Sequence, residues 1–153
     1  PLMRDDVFDI IGEATSKGIR TAIAFSGTPL ATRDKLEKMK DAGIARIAIS
    51  LDGSRAEIHD YFRGVRGTFE TSLEILNIAR ELEISRQINT TVTTFNIHDL
   101  PNLVKVCVEK EAALWDVFFV VPTGRAKAEY MPTAKQFEDV LSWLYDVGKD
   151  VPL

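Results

Sequence analysis

The sequence predicts an α/β fold, four parallel strands with outer helices forming part of a TIM-like barrel, and three observations carry that prediction. Strand-like and helix-like segments alternate strictly along the chain, which calls for a parallel sheet with right-handed crossovers. One face of three successive strands is small or polar: Ala22, Ala24 and Ser26; Ala48, Ser50 and Asp52; then Gln87, Asn89, Thr91 and Thr93. The opposite face carries Ile23, Phe25, Ile47, Ile49, Leu51, Ile88 and Val92, as expected where helices pack. A doubly wound open sheet is apolar on both faces. One polar, concave face therefore fits a barrel whose interior holds a polar ligand, with a core of small residues as the other reading of the same pattern.

Each element has a local signal. Asp5 to Lys17 places Val7, Ile10, Ile11 and Ala14 on one helical face, with Asp5 as N-cap and Gly18 as terminator. Arg20 to Ser26 alternates as a strand and ends in the turn Gly27-Thr28-Pro29. Asp34 with Glu37 reads as a capping box for a helix that carries Leu36 and Met39 and stops at Gly43. The strand from Arg46 runs through Ile47, Ile49 and Leu51 into Asp52-Gly53, and a polar connection bearing His59-Asp60, Arg63 and Arg66 leads to a helix. That helix starts at Thr68 or Phe69, extends to about Glu83, and turns Phe69, Leu73, Leu76 and Ala79 inward. Gln87 to Thr93 is the third strand, and Asp99-Leu100-Pro101 opens a helix with the stripe Leu100, Leu103, Val104, Cys107 and Val108. Trp115 to Val121 is the fourth strand, running into Pro122-Thr123-Gly124-Arg125. The last helix starts from a capping box, Thr133 with Gln136, and buries Phe137, Val140, Leu141, Leu144 and Val147.

Composition narrows the function. The 153 residues, 45% apolar and 27% charged, suit a single domain over 1–153. A net charge of −4 and a pI near 5.2 argue against a nucleic-acid or anionic-membrane surface. The single cysteine, Cys107, permits neither an intrachain disulfide nor a multi-cysteine metal site, which suits a reducing cytoplasm. No run approaches the roughly 18 apolar residues of a membrane helix. The chain opens at Pro1 with a helix almost at once, and so reads as a central piece of a longer protein.

Polar residues gather where the strands end, the place where parallel sheets bind ligands. Ser50 and Asp52, two apart on one strand, point to the same side, and Asn89 and Thr91 repeat that geometry on the next. Ser50 can donate to a carboxylate, and Asp52 can accept from a hydroxyl or an amine. Arg63-Gly64-Val65-Arg66-Gly67-Thr68 places two guanidinium groups before a helix N-terminus, suited to a carboxylate or phosphate; a solvated basic loop is the alternative. His59 and Asp60, being adjacent, do not face each other, so His59 reads as a supporting residue. No P-loop, GxGxxG, HExxH or nucleophile elbow is present.

The strings SLDGSRAEIHDYFRG, QINTTVT and FFVVPTGRA resemble the radical S-adenosylmethionine (SAM) enzymes, in particular the cofactor- and peptide-maturing branch that includes coenzyme PQQ and haem-biosynthesis proteins. The opening PLMRDDVFDII is similar to the segment that comes after that branch's GGEP motif, with Pro1 as the motif's last letter. The resemblance implies a (β/α)6 partial barrel that binds SAM at a [4Fe-4S] cluster held by a CxxxCxxC loop. Reductive cleavage of SAM there gives a 5′-deoxyadenosyl radical that abstracts hydrogen from a small-molecule or peptide substrate, with a separate electron donor. It implies that Ser50 and Arg63 bind the SAM carboxylate, that Asn89 and the backbone near Val121 border ribose and adenine, and that Asp52, His59, Thr91 and Arg125 lie toward substrate. The chain departs from the pattern in three places. The CxxxCxxC loop is absent, GGEP is reduced to its Pro, and the usual T-N-G is Phe25-Ser26-Gly27. The expectation is therefore a central fragment, inert alone, with no catalytic or metal-binding residue of its own, no bound cofactor, and strand edges open to self-association. Two other readings are a phosphate-binding barrel enzyme using the Arg63 to Thr68 loop and a non-catalytic ligand-binding or scaffold domain.

Overall fold

Strands β1 (Ala22–Phe25), β2 (Arg46–Ser50), β3 (Ser85–Val92) and β4 (Leu114–Phe119) form one parallel sheet in sequential order. Helices α1 (Val7–Ser16), α2 (Arg33–Asp41), α3 (Ala56–Arg63), α4 (Thr68–Glu81), α5 (Leu100–Glu109) and α6 (Ala134–Asp150) accompany them, with 3-10 turns at Ile97–Asp99 and Ala128–Tyr130. These elements come from a computed structural model that describes residues 1–124 and 126–151.

The two faces of the sheet differ as the alternation requires. Ile47, Ile49, Leu51 and Ile88 are fully buried in one cluster with Val7, Leu36, Met39, Phe69, Leu76 and Cys107 from the helices. On the other face Ala22, Ala24 and Ser26 are exposed, and Ser50, Gln87, Asn89 and Thr91 are half-buried. Helices thus cover the convex side and leave the concave side bare, the arrangement of a barrel arc. A smaller cluster of Val92, Leu100 and Val140, with Trp115 edge-on to Trp143, attaches α6. β1 pairs only with β2 and β4 only with β3, so each has an open edge among the described residues. No described helix is long and apolar enough to cross a membrane.

Local chemistry departs from the sequence reading at several ends. α1 is entered through Asp6, not Asp5, and the Asp6 carboxylate is engaged by Arg4 instead of capping. α2 is capped by Thr32, whose hydroxyl accepts from the Lys35 N–H, so Asp34 sits inside the first turn and interacts with the helix dipole. The polar connection after β2 contains helix α3, hidden because its buried residue is His59 and not an aliphatic side chain. Val108 and Leu141 are exposed, since each lies one step off the packed stripe of its helix. The Thr133–Gln136 capping box is present with both bonds made.

Candidate functional site

The site is built where β2 and β3 end. Register places Ser50 beside Asn89, Asn89 beside Asp116, and Thr91 beside Phe118 on the concave face. Gln87 Nε2 donates to Asn89 Oδ1 and to Asp116 Oδ2, 2.8 Å each, which fixes the Asn89 amide with its nitrogen turned away from Gln87.

Asp52, two residues past β2, is completely buried. Its Oδ1 accepts the Thr91 N–H at 2.8 Å, tying β2 to β3. Its Oδ2 lies 2.6 Å from Arg63 Nε, an ion-pair contact without hydrogen-bond alignment. Burial raises the Asp52 pKa, with Arg63 and the Thr91 N–H pulling the other way. Arg63, last residue of α3, is about a quarter exposed. With Nε against Asp52, its terminal nitrogens form the fork at which an anion can bind.

His59 is also buried, and its Nδ1 accepts the Asp52 N–H at 3.0 Å. That bond requires the neutral ring with its proton on Nε2. Burial, reinforced by the Arg63 charge, lowers the His59 pKa to about 4. Nε2 is buried without a partner among the described residues. The ring borders a cavity of about 410 Å³ shared by Ser26, Gly27, Arg63, Arg66 and Thr68.

Three further polar side chains brace this rim, and none is marked as a brace by its local sequence. Asp60 accepts from the Gly67 N–H, the Thr68 hydroxyl and the Phe69 N–H, filling the N-terminus of α4. Burial opposes its ionisation, but those hydrogen bonds outweigh it and the pKa falls. The phosphate-site reading is corrected here: the helix N-terminus behind Arg63 already holds an anion, and it is the chain's own. Asn96 Nδ2 donates to the carbonyls of Asp52 and Thr91, and its Oδ1 accepts from the Thr93 N–H. Asp99 accepts from the Ser54 N–H and hydroxyl. Gly53 is required because a Cβ there would stand 2.7 Å from Ile58 Cβ and 2.8 Å from the His59 nitrogen.

Of the residues singled out in the sequence, Ser50, Asn89 and Arg63 gather at this rim, with Asp52 beneath Arg63. Asp52 and His59 are buried in the frame, and the Thr91 N–H is engaged by Asp52. Val121 follows β4 and is exposed. Arg125 lies outside the described residues. The donors Ser50, Asn89 and the free end of Arg63 suit the carboxylate and hydroxyls of SAM. An iron–sulfur cluster does not fit this chain's own residues. Cys107 is the sole thiol, buried in the core with its pKa pushed up to about 12, and no acid, histidine or thiol cluster among the described residues could hold a metal.

Comparison with known proteins identifies the family and the fold. Residues 1–107 match the Radical SAM superfamily. The chain is 42% identical over 151 residues to the AdoMet-dependent heme synthase of Nitratidesulfovibrio vulgaris, covering 97% of this chain and 41% of that protein. It is 32% identical over 142 residues to the PqqA peptide cyclase of Rhodopseudomonas palustris, covering 91% and 37%. The chain thus spans about two fifths of the length of the curated relatives it matches. In fold it is similar to Streptococcus suis SuiB bound to S-adenosylmethionine, with a TM-score of 0.80, 16% identity, and coverage of 98% of this chain and 35% of that one.

Proposed function

The chain belongs to the radical SAM superfamily, and on that premise we propose that the whole protein cleaves SAM reductively at a [4Fe-4S] cluster during haem or peptide-derived cofactor biosynthesis. The observation that carries this reading is the Asp52–Arg63 pair, a guanidinium held at the strand ends through Nε by a buried carboxylate, with no ion-pair partner for its outer nitrogens among the described residues. Arg63 and Ser50 hold the SAM carboxylate, Asn89 meets the ribose, and the backbone near Val121 borders the adenine. Asp52 orients Arg63, and His59 supports Asp52 through its main-chain N–H. Thr91 and Arg125 lie toward substrate. SAM and the cluster together supply hydrogen abstraction from a small-molecule or peptide substrate, with electrons from a separate donor. The cluster's thiolates come from residues other than Cys107, so the 153 residues alone are inactive.

Arg63→Ala in the full-length, cluster-loaded protein tests the assignment. Charge-assisted hydrogen bonds contribute about 1.5–3 kcal/mol, so SAM affinity measured by calorimetry should fall by about tenfold or more. Unchanged affinity removes Arg63 from the site.

A further inference from the structure

Three polar side chains on the concave face are bonded in series, and the last of them belongs to the rim assigned to SAM. Asp116 stands opposite Asn89 across the β3–β4 pair, and Gln87 lies two residues before Asn89 on the same face of β3. Gln87 Nε2 donates to Asp116 Oδ2 and to Asn89 Oδ1, each at 2.8 Å. We propose that Asp116 and Gln87 are positioning residues for SAM, which act through the Asn89 amide to hold its Nδ2 as a hydrogen-bond donor toward the ribose. This inference rests on the assignment of Asn89 to the ribose proposed above.

The polarity of the series follows from its first member. A carboxylate offers only acceptors, so the end of the Gln87 amide that meets Asp116 is its NH2 group. The same nitrogen reaches Asn89, so the Asn89 atom that receives it is the carbonyl oxygen. The Asn89 NH2 group is thereby turned away from Gln87, and it donates to no described residue. Without the carboxylate a glutamine and an asparagine can join in either sense, nitrogen to oxygen or oxygen to nitrogen, with the same geometry. Asp116 removes that ambiguity.

The surroundings leave this task to Asp116. The register neighbours of Gln87 are Ala48 on β2 and Leu114 on β4, and neither offers a polar side chain. Aspartate is disfavoured within strands, yet Asp116 lies in the middle of β4 and pairs with no cation among the described residues. Both Gln87 and Asp116 are half-buried, which shields their bond from water. An amide held in place before the ligand arrives loses less freedom on binding. Ser50, next to Asn89 in register, adds a hydroxyl, and the outer nitrogens of Arg63 add further donors. The rim therefore presents donors to a ligand whose ribose and carboxylate are rich in acceptor oxygens.

The test is calorimetric titration of SAM into the full-length, cluster-loaded protein and its variants, with the urea midpoint of each reporting its fold. Asn89→Ala should weaken SAM binding by about threefold to tenfold, the effect of one neutral hydrogen bond. Gln87→Met, which keeps the length of the side chain and removes its donor, should weaken it by about threefold. In the Asn89→Ala background Gln87→Met should have no further effect, because it then has nothing to position. Asp116→Leu reaches the same amide from β4 and should weaken SAM binding by about twofold, as half the population turns the carbonyl to the ligand. That loss should vanish in the same background, and it carries the test if Gln87→Met unfolds. A Gln87→Met loss that persists at full size in the Asn89→Ala protein overturns the proposal, since the residue would then act on SAM without Asn89. Wild-type SAM affinity in Gln87→Met and Asp116→Leu, with Asn89→Ala weakened, overturns it too and leaves the ribose assignment standing. Wild-type affinity in Asn89→Ala overturns the ribose assignment, and this inference with it.

Discussion

The connections that follow β2 and β4 reach the same end of the sheet and are built on opposite plans. After β2, buried or capping side chains carry the structure: Asp52 and Asp60 bond to β3 and α4, and Asn96 and Asp99 reach this connection from the one that follows β3. After β4, the Val120 N–H reaches the Val92 carbonyl, Thr123 bonds back to Val121, and the side chains of residues 121–124 are exposed. Where carboxylates build the frame, their charge is unavailable to a ligand, and only the outer end of Arg63 emerges. Where main-chain bonds build it, the backbone and exposed side chains are what remains to offer. One connection is therefore held by buried and capping side chains and the other by its main chain.

The largest break in this contrast should come from Asp52→Ala. The substitution leaves the Thr91 N–H without its acceptor and Arg63 without its counter-ion. Losing one partner of a buried pair costs about 3–5 kcal/mol, and the partial exposure of Arg63 puts the expectation near 3 kcal/mol. A urea midpoint for the full-length protein reads the loss directly. A shift worth less than about 1 kcal/mol would mean that the β2 rim is held by its other braces and that Asp52 is dispensable.

Acid should produce an effect of similar size through His59. Its pKa in the fold is about 4, below the ordinary value of 6.5, because burial and Arg63 disfavour the charged ring. The unfolded chain then binds more protons than the native one between those values, so stability rises with pH across that window and is lost as pH falls from about 6.5 toward 4. The full span corresponds to roughly 3 kcal/mol. Asp52, with a raised pKa, contributes in the opposite sense above its ordinary value, which reduces the net slope. Urea midpoints at several pH values between 4 and 7.5 should show a slope in wild-type protein that flattens in His59→Asn. Equal slopes in the two proteins would place the acid sensitivity elsewhere.

The same contrast separates features legible in the sequence from those that only the fold creates. The parallel sheet is legible from the strict alternation of strands and helices, and the polar face from period-two alternation, a signal carried by each strand alone. Thr133 and Gln136 are three residues apart, so their capping box is legible too. Asp60 caps a helix that begins eight residues later, Asn96 reaches Asp52 across 44 residues, and Asp99 reaches Ser54 across 45. Such partners are fixed by the fold, and nothing in the local pattern marks them. Helix α3 is hidden for a related reason: its inward contact is a histidine bonded to the residue just past the preceding strand. Ser50, Arg63 and Asn89 are marked by motif resemblance, whereas the packing of Phe95 against Tyr130, ring centroids 4.9 Å apart, joins segments 35 residues apart.

The smallest expected effect lies at Val121, and it sharpens the comparison by being small. Val121 is 66% exposed, and its carbonyl, not its side chain, accepts the Thr123 N–H at 2.8 Å. Truncating an exposed side chain outside any packed cluster changes stability by no more than about 0.5 kcal/mol. If the residue serves SAM through its backbone, Val121→Ala should leave both the urea midpoint and the calorimetric SAM affinity near wild type, since the main chain is unchanged. Pairing it with Asp52→Ala sets the two rims side by side, one that depends on a buried side chain and one that tolerates its loss. A drop in SAM affinity of about tenfold in Val121→Ala, with the midpoint unmoved, would show instead that its methyl groups contact the cofactor, for a loss of that size is about 1.4 kcal/mol and more than an exposed alanine substitution otherwise explains.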